Sequence, residues 1–125
     1  MHRSNKLGLV AAALVALVLT AGAAFAKDTP LSAKGTIVDV MCGADMTSQA
    51  DADAHTKKCA LSARCVTSGF GAVIDGKFHK FDAAGSKQAE ALVTASKKTD
   101  HITATVEGTL LDDGSIKVTK ITADE

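Results

Sequence analysis

The sequence predicts a mainly β, α+β domain of five strands and two helices. Three observations carry that expectation: β-branched stretches that end in turn residues, an Asp-Gly pair between two short apolar runs, and alternation over residues 102–111. Residues 27–33 read as a short polar lead. The first strand then opens at Gly35-Thr36-Ile37-Val38-Asp39-Val40 and runs into Met41-Cys42-Gly43, so it ends at the first cysteine. From Thr47 to about Thr67 alanines alternate with charged residues, and Thr47 or Ser48 supplies an N-cap; this predicts a helix, with Leu61-Ser62 as its candidate break.

Phe70-Gly71-Ala72-Val73-Ile74 and Lys77-Phe78-His79-Lys80-Phe81 flank Asp75-Gly76, the signature of a two-residue hairpin turn. Ser86 can cap a second helix in which Ala89, Leu92, Val93 and Ser96 share one face while Lys87, Glu90 and Lys97 meet solvent. Ile102, Ala104, Val106, Gly108 and Leu110 alternate with Thr103, Thr105, Glu107, Thr109 and Leu111, as a half-buried strand requires. Asp112-Asp113-Gly114-Ser115 turns the chain, and residues 116–122 return as the last strand. Five strands with a helix between the third and fourth is the order of an OB-fold, a small, partly open barrel, here with an extra helix inserted between strands 1 and 2. A compact α+β sandwich satisfies the same periodicity.

The beginning of the chain reads differently from the rest. Arg3 and Lys6 precede an apolar run from Leu7 to Ala21, and Ala24-Phe25-Ala26 follows; this is the order of a cleavable signal peptide covering residues 1–26. The apolar run is about 15 residues, short of the roughly 20 that span a bilayer as a helix. Lys27 rather than a cysteine follows the expected cut, so no lipoprotein acylation signal is present there. The expectation is a periplasmic or secreted single domain, residues 27–125, with no membrane association after cleavage.

Cleavage removes two of the 14 basic residues and none of the 14 acidic ones, leaving a net charge of −2. A polyanion-binding surface is normally basic, and with no Tyr or Trp in the chain there is little to stack on bases or sugars. Oligonucleotide or glycan binding therefore stands only as an analogy to other OB-folds.

Val38-Asp39-Val40-Met41-Cys42, His55 with Cys59-Ala60 and Cys65, and Val106-Glu107-Gly108 followed by Ile116-Lys117-Val118 together resemble a group of small exported bacterial proteins of uncharacterised function. The resemblance covers most of the mature chain. It implies an extended segment ending in cysteine, a helical His, Cys-Ala, Cys segment and an OB-like barrel; it implies no particular activity. In that group the His-to-Cys and Cys-to-Cys spacings are tighter than here.

The chemistry is concentrated in Cys42, Cys59, Cys65 and His55. On a continuous helix Asp51, His55 and Cys59 fall on one stripe, which makes Asp51 a candidate supporting or additional ligand. Cys65 is rotated about 120° off that stripe and lies about 9 Å further along, too far for a Cys59–Cys65 bridge unless the helix breaks.

Three chemistries suit these residues. In an oxidising compartment, a disulfide from Cys42 to Cys59 or Cys65 would close a loop of 17 to 23 residues, stabilising the domain by about 3 kcal/mol. It would leave one odd cysteine. Alternatively, His55 and the thiolates suit a soft metal, zinc or copper, since His-x3-Cys puts two donors on one helix face. Covalent haem is disfavoured, because no C-x-x-C-H occurs. A thiol-redox or haem-handling factor, with Cys59 or Cys65 as nucleophile and His55 as base, is the enzymatic alternative. Lys57, Lys58 and Arg64 could lower a thiol pKa, but C-x-x-C is absent.

The remaining candidates have simpler explanations. His79 sits on an expected solvated strand face and His101 at a strand start. Asp51-Ala52-Asp53 lacks the glycine and glutamate of a calcium loop. The leading expectation is thus a non-enzymatic exported binding or structural domain, tied by a disulfide in its Cys/His segment and able to take a soft metal or small ligand.

Overall fold

The computed structural model describes residues 28–124, so the expected signal peptide lies outside the described residues. The elements run β1 (Thr29–Asp39), α1 (Val40–Gly43), α2 (Gln49–Asp53), α3 (Lys57–Ala60), α4 (Ala63–Ser68), β2 (Phe70–Ile74), β3 (Lys77–Lys80), α5 (Ala83–Ala95), β4 (Thr103–Leu110) and β5 (Ile116–Ala123). The strands form one antiparallel sheet in the order β3-β2-β1-β4-β5. This is the expected α+β class with its five strands. At the sheet's two edges, Phe81 and Ile116 form a parallel bridge, and the Asp82 N–H donates to the Ile116 carbonyl at 3.1 Å.

β1 begins at Thr29, so most of the expected polar lead is strand. The reason is an alternation: Leu31 and Ala33 alternate with Ser32 and Lys34, and the first pair is partly buried while the second is exposed. The strand changes partners along its length. Thr29 to Thr36 pair with β4, and Thr36 to Asp39 pair with β2. Its last residues therefore project beyond β4 toward the inserted segment.

The single helix expected over 47–67 is instead three short helices, preceded by the single turn of α1. Serine and threonine hydroxyls compete for the backbone and restart the helix. Ser48 Oγ accepts from the Asp51 N–H at 3.2 Å and Thr56 Oγ1 from the Cys59 N–H at 3.1 Å. The break at Leu61-Ser62 occurs as expected, and a second falls at residues 54–56. There Thr56 bridges Asp100, and the Lys57 N–H donates to the Thr99 carbonyl at 2.8 Å, fastening the segment to the connection between α5 and β4. Gly69, at φ +88°, lets the chain turn out of α4 into β2.

Asp75 and Gly76 form the expected tight turn, both at positive φ. α5 starts three residues before the expected cap: Asp82 is its N-cap and accepts from the Gly85 N–H at 3.0 Å. Ser86 lies inside the helix, where its Oγ accepts from the Phe70 N–H at 3.0 Å and holds α5 to β2. The buried face of α5 is Gly85, Ala89 and Val93.

Alternation along β1 separates two apolar clusters. Ile37 joins the main core with Phe70, Phe81, Val93, Val106 and Ile116. Val38 joins a smaller one with Ala52 and Val73, bordered by Met46 and Phe78. α1 can dock on the second cluster only because Gly43 has no side chain: a Cβ there would lie 2.5 Å from Phe78 Cε2 and 2.9 Å from Val38 Cγ2. Gly43→Ala should therefore push α1 outward and destabilise the domain by about 1–3 kcal/mol, the usual cost of overpacking. Urea denaturation measures it; an unchanged midpoint would mean that α1 is not seated against Phe78.

Candidate metal centre

The site is organised by Asp39, the last residue of β1. It is fully buried, with 0% exposure. Its Oδ2 accepts from the Cys42 N–H at 3.0 Å, which caps α1 and fixes where Cys42 stands. Its Oδ1 lies 2.7 Å from His55 Nε2. With the carboxylate oxygen as acceptor, His55 Nε2–H is the donor of this bond. The His55 side chain is 8% exposed, so the pair is shielded from water.

Around this pair stand the three cysteines, all as free thiols. Cys42 comes from α1, Cys59 from α3 and Cys65 from α4, so the helix breaks are what allow the three to converge. Their sulfurs lie within 4.8 Å of one another, and the Cys42 and Cys59 sulfurs are 4.0 Å apart. The expected disulfide is not formed; that separation is about twice an S–S bond. Asp39, Cys42 and His55 make a second group, also with ligand atoms within 4.8 Å of one another. Either group can hold a metal ion, and Cys42 belongs to both.

The surroundings of Cys42 and Cys65 favour their protonated forms. Burial pushes the Cys42 thiol up to about 12, and the Asp39 charge and the hydrogen bond to Cys59 push in the same direction. At Cys65, a hydrogen bond with Ser62 favours the thiolate, but burial and Asp39 outweigh it and the thiol is raised. A cysteine nucleophile needs the opposite arrangement, a cation or helix N-terminus that lowers the pKa.

Four expected site residues, Cys42, Cys59, Cys65 and His55, are thus brought to one place, and Asp51 is not. Asp51 is exposed on α2, where its Oδ2 accepts from the Thr47 N–H at 3.1 Å and holds its carboxyl below the usual range. The stripe joining it to His55 and Cys59 requires a continuous helix, which the break at 54–56 removes. The carboxylate at the site is Asp39 instead. Its signal is an acidic residue closing a β-branched run three positions before Cys42, the spacing of an N-cap.

The other two histidines among the described residues lie elsewhere. His79 is half-buried and its Nδ1 is 2.7 Å from the Gly114 carbonyl, so it ties β3 to the β4–β5 turn rather than facing solvent. His101 is exposed, with Nε2 3.2 Å from Asp53 Oδ1. Lys57 donates to the Thr94 and Ser96 carbonyls at the end of α5, so its charge is spent there rather than on a thiol.

Comparison of the chain with protein-family models, curated proteins and solved structures finds no match among them, and the functional reading rests on this geometry.

Two outcomes follow from the burial of Cys42 and from Asp39 beside it. Iodoacetamide should modify Cys42 in the reduced, metal-free protein at pH 8 slower than a free thiol by on the order of a hundredfold or more. The rate should keep climbing above pH 10, and Asp39→Asn should speed it by removing the nearby charge. Peptide mapping by mass spectrometry reads both; a Cys42 rate equal to that of a free thiol would contradict the electrostatics described. Asp39→Ala should cost about 3 kcal/mol or more, because it uncaps α1 and leaves a buried imidazole without its partner; thermal unfolding of the variant measures this.

Proposed function

We propose that this chain is an exported, non-enzymatic binding module that holds a soft metal ion, zinc or copper, on its Cys42, Cys59 and Cys65 thiolates. The observation that carries the reading is the convergence of three unbridged sulfurs within 4.8 Å. Thiolate donors select such ions by softness. Asp39 and His55 support the cluster by fixing α1 and the start of α3, a role often taken by groups just outside a metal's ligands.

The fold part of the proposal is an OB-like barrel. Its support is the sheet order β3-β2-β1-β4-β5 and the single bridge from Phe81, just past the end of β3, to Ile116 of β5. In that architecture the Cys/His segment is an elaborated connection between the first two strands. Export is supported by the basic, apolar and Ala24-Phe25-Ala26 order of residues 1–26. Among the described residues no helix is long and apolar enough to cross a membrane. The thiol-redox alternative is weakened by thiols raised at both Cys42 and Cys65.

The test is titration of the reduced protein with Zn²⁺ and, anaerobically, with Cu⁺. One equivalent of at least one of these ions should bind and protect all three thiols from Ellman's reagent. Cys42→Ser, Cys59→Ser and Cys65→Ser should each weaken binding by about a hundredfold or more, given the loss of one thiolate donor. Because each ligand must lose a proton, affinity should rise with pH across pH 6 to 8, with protons released on binding. Three reactive thiols and no bound ion would overturn the reading.

A further inference from the structure

The three-sulfur group and the Asp39–Cys42–His55 group share one residue, and that overlap limits how many donors one ion can reach. No histidine nitrogen or carboxylate oxygen among the described residues lies within 4.8 Å of all three sulfurs. His55 is one candidate for a fourth ligand, since a metal-bound histidine often passes its other ring nitrogen's hydrogen to a carboxylate, and His55 Nε2 lies 2.7 Å from Asp39 Oδ1. Here, however, the ring is grouped with Cys42 and not with Cys59 or Cys65. Moving it into a shared coordination sphere would mean moving Asp39, which is fully buried and is also the cap of α1.

Three sulfurs placed around one ion at about 2.3 Å, in a plane, stand about 4.0 Å apart. The Cys42 and Cys59 sulfurs are 4.0 Å apart, and the Cys65 sulfur lies within 4.8 Å of both. Zinc in a structural site asks for four protein ligands. Cuprous copper is a soft ion that thiolates select, and it does not require a fourth. Cys65 is 5% exposed and forms the floor of the cluster, whereas Cys42 and Cys59 are partly exposed and leave an edge through which an ion can enter.

We infer that the ion this cluster takes is Cu⁺, held by the Cys42, Cys59 and Cys65 thiolates alone, with His55 and Asp39 outside the coordination sphere. This rests on the metal-binding reading above and deepens it. Uptake exchanges three thiol protons for one Cu⁺: three Cu–S bonds form, three S–H bonds break, and no electron changes hands.

The experiment is X-ray absorption on the reduced, full-length mature protein loaded anaerobically with one equivalent of Cu⁺, with a parallel Zn²⁺ titration. The expected spectrum has three sulfur scatterers and no imidazole scattering. His55→Gln should give the same spectrum and bind Cu⁺ within about tenfold of the wild type; if that variant does not fold, the wild-type spectrum decides alone. Imidazole scattering in the wild type would replace the three-sulfur site by a four-donor one, overturning this inference while leaving metal binding intact. Binding of Zn²⁺ without Cu⁺ would do the same. Binding of neither ion would overturn both.

Discussion

The Asp39 carboxylate is the interaction on which the rest of this molecule's chemistry depends. One oxygen caps α1 and the other holds His55, so a single buried side chain joins the end of the central strand to two separate parts of the inserted segment. An isolated charge at that depth is costly. It is tolerated because both oxygens have donors, one of them an imidazole able to carry positive charge. Burial, and with it Asp39, opposes thiolate formation at Cys42 and Cys65, so these two thiols stay protonated until something more strongly attractive than a proton arrives.

The sheet makes this arrangement possible. β1 spends its first part on β4 and its last on β2, which carries its end past the edge of its first partner. Alternation then sends Ile37 into the main core and Val38 into the smaller cluster beneath α2. The inserted segment straddles the strand's end. Its far side is secured by Thr56 and Lys57, whose backbone bonds reach the connection before β4, and by the Lys57 ammonium on the last carbonyls of α5. The three sulfurs converge because their backbone is anchored at both sides.

Much of the sheet was legible in the residues. Asp75-Gly76 specifies its turn by the positive φ both positions adopt, and the alternation from Ile102 onward marks β4. The start of β1 was not legible as strand, because Lys34, Ser32 and Pro30 dilute the β-branched signal and only pairing with β4 reveals it. In the inserted segment, alanine-rich composition favours one helix by propensity. Thr56 overrides it locally by capping α3, and the Thr56–Asp100 bridge is a tertiary interaction that periodicity cannot register. This is why His55 and the cysteines were recognisable as a set while Asp51 was grouped with them by a helical stripe that does not exist. Asp39 was hidden by its setting: inside a strand-like run, an aspartate reads as the strand's end rather than as the hub of a site.

None of the four inserted helices is longer than six residues, well under the length at which a helix supports itself in water. The segment therefore has almost no stability of its own and borrows it from its attachments, so its local opening costs less than opening the sheet. A bound ion that crosslinks α1, α3 and α4 would raise that opening cost directly. Occupancy would then set lifetime: wherever proteases are present, empty copies would be clipped and cleared first, while filled ones persist.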